Sequence, residues 1–323
     1  MTPTKFLLVA DLHGSEVVLN KTLNSAKFYG VKDLVVAGDI TGKVLVPILE
    51  RPDGTLACDL HGVDREFYRK ELPDIQKQIR NAGFYFTMVS PAEYDELAAD
   101  KSKQRAVFLR EMLADLRRFY AKADEKLRPL GTRLYLLAGN DDYPEVAEFI
   151  RTTPSEVVVA YDEQVVDFRD GYRIAGYGYS NPTPWRTPRE IPDDQLLEGL
   201  RRVVRSADPK RTLLVAHAPP HETIIDKAPQ LTADLRPVMR AGQVVMASVG
   251  SPAVRTVLEE FRPIVGLHGH IHESSGRDFV GASGSRDRIP VFNPGSEYNA
   301  GVLRGVLITL ENGSVRDYVF TKG

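Results

Sequence analysis

The sequence predicts an α/β fold, and three features carry that prediction. Short apolar runs of the length of buried strands recur at Phe6–Ala10, Leu34–Ala37, Leu134–Ala138, Thr212–Ala216 and Ile264–Leu267. The first two flank a helical stretch, which makes a βαβ unit. The tail reads as hairpins, so strands of both senses are expected, in an arrangement with α+β character. We expect a single domain over residues 1–323, with one long insertion at 43–130.

Each element has a local reason. Ser15 is placed to cap the first helix and Gly30 to stop it. Within the insertion, Val44 to Cys58 reads as a hairpin turning at Pro52-Asp53-Gly54. A helix is expected over Asp64 to Ala82, broken or kinked at Pro73. Phe84 to Val89 reads as a strand, and Ser90-Pro91-Ala92-Glu93 is a capping box with proline in the first turn. Lys103 to Leu127 is an amphipathic helix whose apolar stripe (Val107, Leu109, Leu113, Leu116, Tyr120) must pack on something. The insertion is thus expected to be a hairpin plus helices, largely helical, acting as a lid or as a contact between copies in a homo-oligomer.

After Asn140 the pattern turns β-rich, with a hairpin from Gln164 to Tyr177 through Asp170-Gly171. A loop studded with prolines spans Ser180 to Asp193, and a helix follows from about Asp194 to Arg205. Ser251 caps another helix, with Pro252 at its first position. The chain closes with a strand at Ile289 to Phe292, a turn at Asn293-Pro294-Gly295, and a hairpin from Arg304 to Phe320 turning at Asn312-Gly313.

Composition narrows the function. Lys and Arg number 42 against 44 Asp and Glu, a net charge of −2. A binder of long nucleic acid carries a basic excess, and this chain has none, so a small anion is the better substrate. Cys58 is the only cysteine, which excludes an internal disulfide. The apolar run Phe6–Ala10 is closed at once by Asp11, too soon for a signal peptide or a membrane span. A cytoplasmic protein with no membrane partner is expected.

The chemistry lies where the apolar strands end. Their first polar residues are Asp11 and His13, Asp39, Asn140, His217, and His270 and His272. In open sheets, sites form beyond the carboxyl ends of strands. Singly each has an ordinary reading: a helix cap, a turn residue or a structural histidine. Their joint occurrence at five strand ends is what those readings do not supply. Three Asp or Asn oxygens and four imidazoles exceed the needs of one ion and suit two ions sharing a carboxylate. Two metals roughly 3.5–4 Å apart can generate a hydroxide and clamp both oxygens of an in-line phosphoryl displacement. The absence of thiolates leaves Mn, Fe, Zn, Co and Ni open, and we favour Mn.

The series Asp-x-His, Gly-Asp, Gly-Asn-x-Asp, His-x-Pro-Pro and Gly-His-x-His resembles the calcineurin-like metallophosphoesterase superfamily, over nearly the whole chain outside the insertion. The resemblance implies a four-layer αββα sandwich, two mixed β-sheets face to face with helices outside. It implies one ion on Asp11, His13, Asp39 and His272 and another on Asp39, Asn140, His217 and His270, with Asp39 bridging. Asn140 would also stabilise charge developing on the phosphate. Asn293-Pro294-Gly295-Ser296 matches a turn common in small bacterial and archaeal phosphodiesterase-like members, where it is a plain turn or a substrate contact.

One position departs from the pattern. The superfamily usually places His after Gly-Asn; here it is Asp141, as in a phosphodiesterase-like subclass. Burial and the neighbouring Asp142 are expected to raise its pKa and make it a general acid. Arg186 and Arg189, beside Trp185, are candidate substrate contacts. His268 is expected to face the core or a backbone carbonyl, His221 to sit on a solvated loop, and His61 has no supporting neighbour.

The function expected is metal-dependent hydrolysis of a small phosphate ester, most of all a phosphodiester, by attack of a metal-bridging hydroxide. The rival reading is a non-catalytic scaffold of the same fold that binds partner proteins; lesser alternatives are a phosphomonoesterase or a nuclease. A scaffold has little need for all seven ligands.

Overall fold

The computed structural model describes residues 3–282 and 288–323. Two mixed sheets form its centre. The first runs Ser314–Lys322, Arg304–Glu311, Thr4–Val9, Asp33–Val36, Arg133–Leu136, Val158–Ala160. Its last four strands are parallel, with Leu34 paired to Leu7 on one side and Leu134 on the other. The second runs Arg173–Tyr177, Thr212–Ala216, Val265–Leu267, Ile289–Asn293, all parallel, with Gly276–Val280 antiparallel on the edge.

Alternation along these strands creates the layers. Phe6, Leu8, Val35 and Tyr135 of the first sheet face Leu213, Val215, Val265, Leu267 and Phe292 of the second in one core. On the other side of the first sheet, Leu7, Val9, Leu34 and Val36 pack under helices Glu16–Tyr29, Lys101–Leu127 and Pro144–Thr152. On the far side of the second, Leu214 and Ala216 pack under helices Asp193–Val204 and Pro252–Phe261. Helix, sheet, sheet, helix is the αββα sandwich. Among the described residues no helix is long and apolar enough to cross a membrane.

The insertion differs from expectation. It contains its own four-stranded sheet, ordered Val63–Phe67, Leu56–Leu60, Val44–Glu50, Phe84–Val89. The helix expected over Asp64 to Ala82 is instead the strand Val63–Phe67, a short 3-10 turn and the helix Leu72–Asn81. Val63–Phe67 is an edge strand, where charged side chains are tolerated because one flank faces water, so its sequence hides the strand. Pro73 does not kink a helix; it sits in the first turn, where its missing N–H costs nothing. The capping box at Ser90 forms as expected. The stripe on Lys101–Leu127 is covered by this chain itself, with Leu116 and Tyr120 inside the core beneath the first sheet.

The insertion is tied to the body at the first helix and beneath the histidine loop. Ser15 occupies the N-cap of the first helix, but its side chain makes no cap; its Oγ donates to Asn81 O at 2.7 Å. Glu16 accepts from Arg80 Nε and from Lys122 Nζ, each at 2.9 Å. Gly83, at φ +79°, passes so close beneath the histidine loop that an added Cβ would lie 2.1 Å from His13 O.

Candidate metal centre

All five strand ends open on one rim of the sandwich. The extended geometry stops there, because Asp11, His13, Asp39 and His270 have φ of +55°, +43°, +53° and +68°. Left-handed backbone costs a non-glycine residue roughly 1–3 kcal/mol, and such strain collects at functional sites. It is held by cross-strand bonds: Asp11 N to Gly38 O at 3.0 Å and His13 N to Asp39 O at 2.9 Å. The i, i+2 pairs therefore converge through tight turns and not through a continued strand.

Two groups of side chains result. In one, His13 Nε2 lies 3.0 Å from His272 Nε2 and 3.7 Å from Asp39 Oδ2, and His272 Nε2 lies 3.6 Å from Asp11 Oδ1. In the other, Asn140 Oδ1 lies 2.8 Å from both His217 Nε2 and His270 Nδ1, and His217 Nε2 lies 3.4 Å from Asp39 Oδ2. Asp39 Oδ2 thus reaches an imidazole of each group. All but His270 and His272, which are half-buried, are buried. This donor set fits divalent ions of borderline hardness. His13 Nδ1, buried with no hydrogen-bond partner, is a further sign that His13 is held for its other nitrogen.

The electrostatics favour a bound cation. Burial pushes His13 down to about 3 and His270 down to about 4, so both are neutral, as ligands must be. Burial would also lower His217, but Asp39 outweighs it and takes His217 up to about 9. Burial acts against the Asp39 carboxylate, yet His217 and His13 hold it well below its usual range. A site that draws a proton onto a buried imidazole is short of positive charge.

Asp141 behaves differently. Burial first, and then the charge of Asp39, pushes it up to about 7. Asp142, expected to supply that repulsion, instead accepts from Gly139 N, Ile40 N, and Thr41 N and Oγ1, locking the Asp39 and Asn140 turns together. Asp141 does not cap the next helix, whose N-cap is Tyr143. It forms an ion pair with Lys43, a residue the sequence did not single out. Its carboxylate also falls within ligand range of Asp39 and His13, making it an eighth candidate donor.

Other side chains hold the ligands in place. Asn293 Nδ2 donates to Gly269 O and Ile271 O, and Ser296 Oγ donates to Asp11 O at 2.7 Å, so the Asn-Pro-Gly-Ser turn clamps the histidine cluster. His268 turns to Ala216 O and Ala218 O, as expected. Arg189, expected from the sequence as a substrate contact, lies inside the protein. It is buried, donates to Ala138 O, Gly139 O and Asp162, and lies over the Tyr179 ring. Arg186 is exposed on the proline loop and joins neither group of ligands. Thr187, between these arginines, contacts Asn140 directly and carries no sequence signal.

No family model matches the sequence. The uncharacterized protein MJ1162 of Methanocaldococcus jannaschii is 30% identical over 161 residues; the match spans 49% of this chain and 65% of that relative's length. A solved crystal structure superposes with a TM-score of 0.57 at 16% identity, covering 99% of each chain. A dimetal phosphatase from Danio rerio gives a TM-score of 0.42 at 10% identity, over 98% of each chain. The likeness to the 16%-identical structure is one of fold. In this fold the sheets supply the rim, and seven side chains of the expected types meet on it. The insertion stands beside that rim, joined to it through Lys43 and Asp141.

Proposed function

We propose that this protein is a dinuclear metal-dependent phosphohydrolase acting on phosphodiesters. The observation that carries the proposal is the meeting of His217 and His270 on Asn140 Oδ1 and of His13 and His217, one from each group, on Asp39 Oδ2. Asp11, His13, Asp39 and His272 would hold one ion and Asp39, Asn140, His217 and His270 the other. Divalent ions in such a pair, manganese being our choice, supply Lewis-acid charge and lower the pKa of water.

The chain's own residues would do the rest. Asn140 adds polar stabilisation where charge builds on the phosphate oxygens. Asp141, raised by burial and by the charge of Asp39, would donate a proton to the leaving oxygen, while Lys43 orients the carboxyl. Asp141 also favours diesters. A phosphomonoester brings a second negative charge beside this carboxyl and a diester does not.

The test compares hydrolysis of bis(p-nitrophenyl) phosphate with that of p-nitrophenyl phosphate in Mn²⁺, for the natural chain, Asp39→Asn and Asp141→Asn. We expect metal-stimulated turnover favouring the diester, abolished in Asp39→Asn. Asp141→Asn should slow esters with poor leaving groups most. No metal-stimulated turnover of either ester would return weight to the scaffold reading.

A further inference from the structure

A cavity of about 710 Å³ is lined by the insertion and, from the body, by Tyr143. Its size is that of a small-molecule site. It shares Lys43 with the centre, the residue paired to Asp141, and Tyr143 follows directly on Asp142. Lys43 thus adjoins both the groove and the centre. Tyr94, from helix Pro91–Ala99, and Phe108, from helix Lys101–Leu127, add aromatic surface, and Phe108 meets Tyr143 edge to face at 5.9 Å. Tyr94 is 44% exposed, an aromatic ring left facing solvent at the side of a groove.

The charge of the lining is one-sided. Lys43, Lys101 and Arg105 line the cavity and no carboxylate does. Arg105 pairs with Glu145 outside it and lies over the Tyr143 ring at 5.1 Å. Lys101 makes no ion pair among the described residues. Flat aromatic surface with surplus positive charge suits a planar ring that carries an anionic group.

We propose that this groove receives the second arm of a phosphodiester whose phosphate sits over the metal centre, and that it selects arms bearing a planar ring and a further phosphate. The inference rests on the phosphodiesterase reading and adds a substrate class to it: esters of nucleotide-like alcohols. The insertion would then set specificity by supplying the wall of the groove, with Tyr94 stacking on the ring and Lys101 attracting the added charge.

The test uses the manganese-loaded full chain and three p-nitrophenyl phosphodiesters. Their second arms are methyl, thymidine (5′-linked), and thymidine carrying a 3′-phosphate. In the natural chain kcat/KM should rise in that order. Tyr94→Ala should cut the preference for thymidine over methyl by about tenfold, the size of a lost ring-stacking contact. Lys101→Glu should cut the preference for the 3′-phosphate by about fivefold, the size of a lost partly exposed ion pair. Both residues are at the surface, and thermal melting of each variant checks that it folds. Calorimetric binding of thymidine 3′,5′-bisphosphate reads the same groove without turnover and should weaken in both variants. Turnover with unmoved preferences and unmoved binding would overturn the groove and leave the phosphodiesterase reading intact. Absence of turnover on all three esters would remove that reading, and the groove with it.

Discussion

Asn140 Nδ2 donates to Thr187 Oγ1 at 2.7 Å, and that bond decides which end of the amide faces His217 and His270. Thr187 is itself fixed, because its hydroxyl and its N–H both donate to Glu190. Replacing Thr187 with Val keeps the shape and frees the amide to rotate. Partners that orient metal ligands are worth about 10–100-fold in metal affinity. We expect Thr187→Val to weaken Mn²⁺ binding by that factor in calorimetric titration, with little change in the melting of the metal-free protein.

Gly83 should tolerate no side chain. Its φ is +79°, and a Cβ there would press on His13 O at 2.1 Å. Overpacking against backbone and left-handed strain together should cost about 3 kcal/mol in Gly83→Ala. Urea unfolding measures the loss. Metal titration should show the His13 group weakened as well, since that carbonyl belongs to a ligand's own loop.

Glu16 should hold the insertion in a pH-dependent way. Burial acts to raise its pKa, but Lys122 and Arg80 outweigh burial and bring it below the usual range. A carboxylate held low stabilises the fold fully above its unfolded value of 4.5, and the gain disappears as pH falls through the folded value. The group is partly exposed, so screening limits the effect. We expect Glu16→Gln to lose about 1 kcal/mol at neutral pH and progressively less as pH falls below the unfolded value, read from urea midpoints.

Arg189 offers a clean separation of roles. If it gripped substrate, its loss would raise KM and leave stability alone. In its observed place, Arg189→Met strands Asp162 and frees the carbonyls before Asn140. Breaking a buried ion pair by removing one partner costs about 3–5 kcal/mol. We expect a large fall in melting temperature, measured by calorimetry, in the metal-free and metal-loaded protein alike.

The sequence disclosed the central strands where burial is complete on both sides, and their stacking as a sandwich only through the family resemblance. Leu34-Val35-Val36 and Leu213-Leu214-Val215 can be little but central strands, and the polar residue after each run marks the rim. It hid the Val63–Phe67 strand because an edge needs no such run. The roles of Arg189 and Arg186 were undecidable for another reason: an arginine among prolines reads the same whether its guanidinium reaches solvent, substrate or backbone oxygen. Lys43 was invisible because its partner, Asp141, is brought to it only when the insertion folds back onto the rim.

The ligands are far apart in the chain, from position 11 to position 272, and both sheets contribute. During synthesis, then, no cation can find its full set of donors until the strand Val265–Leu267 and the histidine turn after it have emerged. Once seated, the ions would rivet the older half of the molecule to the newer. Loading is thereby made a late checkpoint on correct assembly, and chelation should loosen first the seam along which the two halves meet.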